Sequence, residues 1–188
     1  MKIVALSGSK VGSKTRTALN YTIEMAERLY PDHDITIIDL ADYDLEFSDG
    51  RNYLEYDGDT KYVTETLMSA DAIIIGTPVF QASIPATLKN IFDLLPVNAF
   101  RDKVVSTVVT AGTAKHYLMV EQQLKPILSY MKAHIVPTYV FIEEKDFLRK
   151  EIVNVDILFR LGRLVEDTVS MAEAFASIRA KKDEEYDF

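Results

Sequence analysis

Five short apolar runs alternate along this chain with segments of helical periodicity. The runs predict strands at residues 3–6, 34–40, 71–76, 104–110 and 135–142, and the segments between them predict helices at 15–30, 60–69, 86–95, 114–131 and 155–179. A repeat of strand and helix folds into a parallel sheet, because each helix carries the chain back to the same edge. We therefore predict an α/β fold in which helices cover both faces of a five-stranded parallel sheet.

One domain accounts for nearly the whole chain. The chain has 188 residues, enough to bury a substantial core, and no repeat or low-complexity tract interrupts it. We predict a single domain at residues 1–180 and an acidic, disordered tail at residues 181–188. Within the domain, Pro126 predicts a kink or break in the fourth helix, and Pro137 predicts an edge position or a strand start for the fifth strand.

Composition excludes several classes of function. The formal net charge of −8 argues against a nucleic-acid surface, which needs clustered Lys or Arg. No stretch of about 18 apolar residues predicts a membrane span, and no secretory signal precedes the first strand. The chain has no cysteine, which rules out disulfides, thiolate catalysis and cysteine-ligated metals. We expect a cytoplasmic protein without a membrane or nucleic-acid partner.

The loop after the first strand, Ser7–Thr15, has the composition of an anion site. It leads into a helix, whose first N–H groups lack partners within the helix and carry the positive end of its dipole. Hydroxyls and lysines add donors, and glycines let the backbone approach a ligand: Ser9, Ser13, Thr15, Lys10, Lys14, Gly8 and Gly12. These groups favour a phosphate. The alternative is an ordinary turn with Ser13 or Thr15 as the helix cap.

Three kinds of phosphate loop occupy this place in α/β folds. Residues 8–15 match a nucleoside-triphosphate P-loop except that Ser13 replaces the second glycine, and the third strand lacks the Asp that holds magnesium. A dinucleotide loop needs a glycine spacing that Gly8 and Gly12 do not supply, and Asp39 is more simply a turn residue. A flavodoxin-like loop surrounds one phosphomonoester with hydroxyls and main-chain N–H groups. The loop alone leaves this choice open.

Two further loops follow later strands. Residues 76–85 combine a proline, an aromatic ring and an amide, in Pro78, Phe80 and Gln81, which suits contact with a flat heteroaromatic ring. The alternative is a plain connection with Phe80 in the core. Residues 110–113 supply small side chains after the fourth strand. In a sheet of order 2-1-3-4-5 a ligand lies in the crevice between strands one and three, at the carboxyl edge where all three loops converge.

At these residues the sequence resembles the NADPH-dependent FMN reductase family of flavodoxin-like proteins, which includes flavin, azo and quinone reductases. The family's motifs stand here as Gly8–Thr15, as Thr77–Asp93 with Leu88-Lys89-Asn90 intact, as Thr110–Thr113, and as Leu124–Leu128. The second motif is long enough to be specific. The resemblance covers roughly residues 1–142 and implies a flavodoxin-like sheet of order 2-1-3-4-5.

The resemblance also implies the cofactor and its contacts. FMN would bind through its phosphate to Ser9, Lys10, Ser13 and Thr15. Its isoalloxazine and ribityl groups would lie against Pro78, Val79, Phe80, Gln81 and Ala82, with Ala111, Gly112 and Thr113 packed near the ring.

Three positions depart from the family pattern. Lys10 stands where Arg is usual, so its contact to phosphate would be a point charge rather than a bidentate fork. Phe80 replaces a frequent Tyr and lacks its hydroxyl. Gln122 stands about where the sulfonate-utilisation reductases have an inserted Tyr, which argues against that flavin-exporting subgroup.

The activity implied is ping-pong hydride transfer from NADPH or NADH, through FMN, to a small-molecule acceptor such as a flavin, quinone or azo compound. Since the flavin carries the chemistry, we expect no catalytic side chain, and the three histidines are not spaced as a metal site. Family members are usually homodimers or homotetramers. The remaining alternatives are a non-enzymatic flavodoxin-like electron carrier and a P-loop NTPase.

Overall fold

A six-stranded sheet forms the centre of the protein, whose computed structural model describes residues 1–186. The strands are β1 (Lys2–Ser7), β2 (Asp34–Asp39), β3 (Ala72–Pro78), β4 (Val104–Ala111), β5 (His134–Ile135) and β6 (Val140–Glu143). The helices are α1 (Lys14–Leu29), α2 (Gly58–Met68), α3 (Ala86–Leu94), α4 (Lys125–Tyr130) and α5 (Val155–Tyr186). A small antiparallel hairpin of β7 (Phe147–Leu148) and β8 (Glu151–Ile152), which the sequence did not predict, precedes α5.

The strand order is β2-β1-β3-β4-β5, with β6 also paired to β4, and all these pairs are parallel. This confirms the predicted order 2-1-3-4-5. The fifth predicted strand is divided into β5 and β6 around Pro137, which has no N–H to donate to the ladder. Val136 N still donates to Val105 O at 2.9 Å, so the ladder ends directly before the proline.

Helices cover both faces of the sheet, as predicted. Side chains of β1 alternate between the two faces, with Ile3 and Ala5 on one and Val4 and Leu6 on the other. The first face packs against α1 and α5, and the second packs against α2, α3 and α4. The strand side chains are buried on both sides, which is why the predicted strands read as continuous apolar runs.

The fourth predicted helix, 114–131, is instead a short 3₁₀ turn followed, after a gap, by a π turn that continues directly into an α-helix. Residues Ala114–His116 form a 3₁₀ turn, Val120–Leu124 form a π-helical turn that contains Gln122, and α4 follows. Lys125 N donates to Val120 O, five residues back. Pro126 lies in the first turn of α4 and has no N–H to donate to the preceding π turn. The predicted break is therefore present, but it precedes the proline.

The last helix is longer than predicted. The sequence predicted a disordered tail from residue 181, whereas residues 181–186 continue α5, which has 32 residues in all. The segment 179–186 contains no Gly or Pro, and Arg179 Nη1 donates to Asp102 O at 2.8 Å, so the helix is anchored near its end. Residues 187 and 188 of the predicted tail lie outside the described residues. Within residues 1–186, no helix combines the length and apolarity that crossing a membrane requires.

Two glycines bring the carboxyl ends of β1 and β3 close to the helices. Gly8 N donates to Gly76 O at 2.8 Å. A Cβ on Gly76 would lie 2.6 Å from Cδ1 of Leu19 in α1, and a Cβ on Gly8 would lie 3.0 Å from Cδ2 of Leu88 in α3. The two helices therefore pack directly on these strand ends, with no room for a side chain between them.

We expect Gly76→Ala to lower the free energy of unfolding by about 1–3 kcal/mol, because the added methyl overlaps Leu19 in a packed core. Urea unfolding should show a lower midpoint at an unchanged m-value. Gly162→Ala in α5 is the matched control: its Cβ would meet Met25 Sδ at 3.5 Å, an ordinary contact, so the helix should gain up to about 1 kcal/mol. If Gly76→Ala were as stable as the wild type, the side chain of Leu19 would move away from the added methyl group without a cost in free energy.

Candidate functional site

A cavity of about 410 Å³ lies at the carboxyl ends of β1, β3 and β4. Twelve residues line it: Val11, Gly12, Ser13, Lys14, Thr15, Pro78, Val79, Phe80, Thr110, Ala111, Gly112 and Glu144. They come from all three predicted loops and from the segment after β6. The crevice at the switch point of the sheet, between β1 and β3, is therefore where the sequence analysis placed it.

The first loop presents the N-terminus of α1 to this cavity. Gly12 has φ +87°, and this turn in the backbone directs the chain into the helix. Ser13 occupies the N-cap position, but within the described residues its side chain makes no hydrogen bond to the first turn, and that turn has no acidic residue. The first N–H groups of a 16-residue helix therefore face the cavity without a side-chain acceptor.

Ser9 and Lys10 lie in the loop but not in the cavity lining. Ser9 is buried, and its Oγ donates to Val11 O at 2.9 Å and accepts from Val11 N at 3.2 Å. That hydroxyl therefore shapes the loop. Lys10 Nζ lies 3.7 Å from Asp44 Oδ1 on the surface. Of the four predicted phosphate contacts, the structure brings only Ser13 and Thr15 to the cavity.

A buried hydrogen bond joins the first and third loops. The hydroxyls of Thr15 and Thr110 lie 2.7 Å apart, and both side chains are buried. Thr110 was not predicted as a site residue, although it ends the strand from which Ala111 and Gly112 enter the cavity. Thr113 lies outside the lining: its hydroxyl accepts from Lys115 N at 3.4 Å.

The second loop forms a tight, two-residue turn. Phe80 and Ser83 exchange two backbone hydrogen bonds of 2.9 Å, and the residues between them, Gln81 and Ala82, have φ of +48° and +63°. Such values are strained for residues with a Cβ and concentrate at functional sites. The turn leaves Phe80 39% exposed at the cavity, so the alternative that placed this ring in the core is wrong. Gln81 and Ala82 do not line the cavity themselves.

Charged residues at the rim are paired. Lys14 of α1 forms an ion pair with Glu144, and its Nζ lies 5.6 Å above the ring of Phe147. Sequence reasoning missed Glu144, although it follows the strand next to β4 at the same edge of the sheet. Gly12 and Lys14, which the sequence analysis named in the anion loop but not among the FMN contacts, also line the cavity, as does Val11 of the same motif.

Asp39, at the carboxyl end of β2, is engaged by other groups. Its carboxylate accepts from Arg16 Nη1 at 2.8 Å and from Ala41 N at 3.2 Å. This is the turn role expected of it rather than the ribose contact of a dinucleotide loop. The donors that face the cavity are N–H groups and hydroxyls, which suit a phosphomonoester bound without a metal ion. Among the side chains that the structure describes, no cluster of three or more His, Asp and Glu is arranged to hold a metal.

The sequence matches known reductases over most of its length. The profile of the family described as NADPH-dependent FMN reductase matches residues 1–147. The chain is 41% identical over 172 residues to the NAD(P)H-dependent FAD/FMN reductase of Geobacillus thermodenitrificans (strain NG80-2), which covers 91% of this chain and 93% of that protein. It is 33% identical over 150 residues to the FMN reductase (NADPH) of Escherichia coli (strain K12), covering 79% and 76%.

Solved structures share the fold. The apo form of an NADH:FMN oxidoreductase aligns with a TM-score of 0.75 and 26% identity, covering 90% of this chain and 89% of that one. A flavodoxin from the domain Archaea aligns with a TM-score of 0.63 over 92% of this chain and 99% of that one; at 15% identity it shows the fold alone. The flavodoxin-like prediction is thus confirmed, and with the profile match over residues 1–147 the chain belongs to the NADPH-dependent FMN reductase family.

Proposed function

We propose that this cavity binds FMN and that the protein is an NAD(P)H-dependent FMN oxidoreductase. The observation that carries the proposal is the pairing, within about 410 Å³, of an uncapped helix N-terminus with an aromatic and small-residue wall. The reductase relatives support it, since those similar over most of this chain act on FMN or FAD by their names.

The first loop fits a phosphate. The N–H groups of the first turn of α1 and the free hydroxyl of Ser13 would donate to it, and Thr15, already bonded to Thr110, would add a hydroxyl oxygen. Lys14 would supply a positive charge at the rim. Ser9 and Lys10 stay proposed contacts: Ser9 would act through the shape of the loop, and Lys10 would need to leave Asp44.

The other two loops fit a flat ring. Pro78, Val79 and Phe80 form one wall, and Ala111 and Gly112 form another. A Cβ on Gly112 would meet no atom within 4 Å from the described residues other than its two chain neighbours. Gln81, Ala82 and Thr113 would support these walls from outside the lining. Bound FMN supplies the hydride-accepting and hydride-donating chemistry. The chain's own part is to bind the ring, hold its orientation and limit water, so no acid, base or nucleophile is assigned.

The dinucleotide and the acceptor would use the open side of the cavity in turn. The exposed edge of Phe80 marks that side. We propose NADPH or NADH as the reductant and a small flavin, quinone or azo compound as the acceptor, in a ping-pong scheme. The azo compound is included because a relative 27% identical over 161 residues is named an FMN-dependent NADPH-azoreductase, from Staphylococcus aureus (strain USA300), and covers 79% of this chain and 80% of that protein.

The two alternatives are less well supported. An electron carrier shares the fold, as the archaeal flavodoxin shows, but the relatives that match this chain at 41% and 33% identity are named reductases. A P-loop NTPase would need an acid for magnesium at the end of β3, where the chain instead has Pro78. A homodimer or homotetramer and a cytoplasmic location stay predictions; light scattering of the purified protein tests the first.

FMN carries a phosphate that riboflavin lacks, so a comparison of how the protein binds the two flavins tests the phosphate contacts of the first loop. We expect Ser13→Ala to weaken FMN binding by about 1.5–3 kcal/mol, or about ten- to a hundredfold in Kd, because a hydrogen bond to a charged oxygen is lost. Riboflavin binding should change less than about twofold. Titration by flavin fluorescence measures both. Ser170→Ala, on the exposed face of α5, is the control and should change neither. Equal losses for both flavins would contradict the phosphate assignment.

Removing the carboxylate that pairs with Lys14 tests the charge at the rim. Glu144→Gln should tighten FMN binding by up to about 1 kcal/mol, or about fivefold at low salt, because it removes a negative charge and frees the Lys14 cation. The gain should shrink as salt is added. Isothermal titration at two salt concentrations measures it. If this variant instead bound FMN more weakly, the role of Glu144 would be to stabilise the first loop in its binding conformation.

Turnover separates an enzyme from a carrier. The FMN-loaded protein should be yellow, should lose its flavin absorption when NAD(P)H is added without oxygen, and should recover it when a quinone or free flavin follows. Steady-state oxidation of NAD(P)H should require both FMN and the acceptor. A protein that binds FMN and oxidises neither NADPH nor NADH would be a carrier, and one that binds no FMN would contradict the proposal entirely.

A further inference from the structure

A second cavity, of about 440 Å³, is lined by two of the loops that also line the first. Its lining consists of Ala82, Ala114, Lys115, His116, Tyr117, Leu118, Met119 and Gln122. The two cavities are built on the same loops: the turn at 80–83 supplies Phe80 to the first and Ala82 to the second, and the segment after β4 supplies Gly112 to the first and Ala114 to the second. A ligand that extends out of the first cavity across these loops reaches the second.

The second cavity has basic side chains and no acidic ones in its lining. Among the side chains that the structure describes, no carboxylate oxygen lies within 4.0 Å of Lys115 or His116. Other lysines of this acidic chain are paired with carboxylates, among them Lys89 with Asp93 and Lys125 with Glu121. Two adjacent basic residues without an internal partner, inside a concave surface, suit an anionic ligand.

Contacts with Tyr139 and Phe141 hold the segment that carries these two residues in place. Tyr139 Oη donates to Tyr117 O at 2.8 Å, and the ring of Tyr117 packs on the rings of Tyr139 and Phe141, with centroids 5.3 Å away in each case. Burial raises the pKa of Tyr139, which keeps its hydroxyl protonated as a donor. Although residues 112–118 are exposed, the backbone that positions Lys115 and His116 is thus tied to the core.

We propose that this second cavity receives the adenosine 2′-phosphate of NADPH and that Lys115 and His116 make the protein prefer NADPH to NADH. The inference rests on the proposed function, which requires the nicotinamide to lie over the ring in the first cavity. The rest of the dinucleotide must then leave across a neighbouring loop, and the second cavity, which is lined by the same loops, offers basic groups that pair with no described carboxylate. The exposed sides of Tyr117 and Leu118 offer an apolar surface for the adenine.

Activity with the two dinucleotides is the first test. Lys115→Gln should lower kcat/KM for NADPH by about ten- to a hundredfold, mainly through KM, and change that for NADH less than about twofold. His116→Gln should also lower kcat/KM for NADPH. Lys115→Arg keeps the positive charge and should therefore keep most of the preference for NADPH over NADH. Lys181→Gln is the matched control. It lies two residues beyond Arg179, which contacts Asp102 at the opposite end of β4 from this cavity.

Nucleotide binding gives a readout that does not depend on turnover. The FMN-loaded wild type should bind adenosine 2′,5′-bisphosphate at least about tenfold more tightly than 5′-AMP by calorimetry, and Lys115→Gln should abolish the difference. Equal binding of the two nucleotides by the wild type overturns this inference, whatever the turnover. Failure to oxidise either dinucleotide overturns the proposed function instead. A change of oligomeric state in Lys115→Gln with the nucleotide preference intact would make the segment a contact between copies and would also overturn the inference.

Discussion

The close packing of α1 and α3 on the ends of β1 and β3 is the constraint on which the site depends. Gly8 and Gly76 are joined by a backbone hydrogen bond, and Leu19 and Leu88 lie where their side chains would be. The helices can therefore pack closely against the strand ends, and the N-terminus of α1 faces the crevice. A bulkier residue in either strand end would push a helix outward and separate the loops that form the cavity.

The rim of the cavity balances positive and negative groups. The N-terminus of α1 attracts anions, yet the carboxylates of Asp39 and Glu144 lie at the same edge of the sheet. Two cations in the first turn of α1 pair with these carboxylates: Arg16 with Asp39, and Lys14 with Glu144. The helix thus carries its own neutralising cations, and a phosphate in the proposed position would meet N–H groups and hydroxyls rather than unpaired carboxylates.

Strands and helices could be read from the sequence because burial on both faces of a parallel sheet leaves continuous apolar runs, and amphipathic helices keep their period. The exceptions are instructive. Residues 114–131 have an apolar period, but Tyr139 and Phe141 hold Tyr117 in a loop, and Pro126 cannot donate to the preceding turn, so a π turn forms between. The contacts of Tyr117 come from residues distant in sequence, and the missing N–H belongs to one proline. The apolar period of the segment predicts neither effect.

By itself the sequence determined the fold, the family and the three loops that converge, since each is encoded in a contiguous stretch: an apolar run, a motif, a strand followed by a helix. Only the tertiary structure decided which side chains face the cavity. In the tertiary structure the hydroxyl of Ser9 bonds to the backbone of its own loop, and Phe80 lies partly exposed at the surface. Glu144 lies beside Lys14, although 130 residues separate them in the chain. Side-chain direction depends on the packing of elements far apart in the chain, and a linear pattern does not contain that packing.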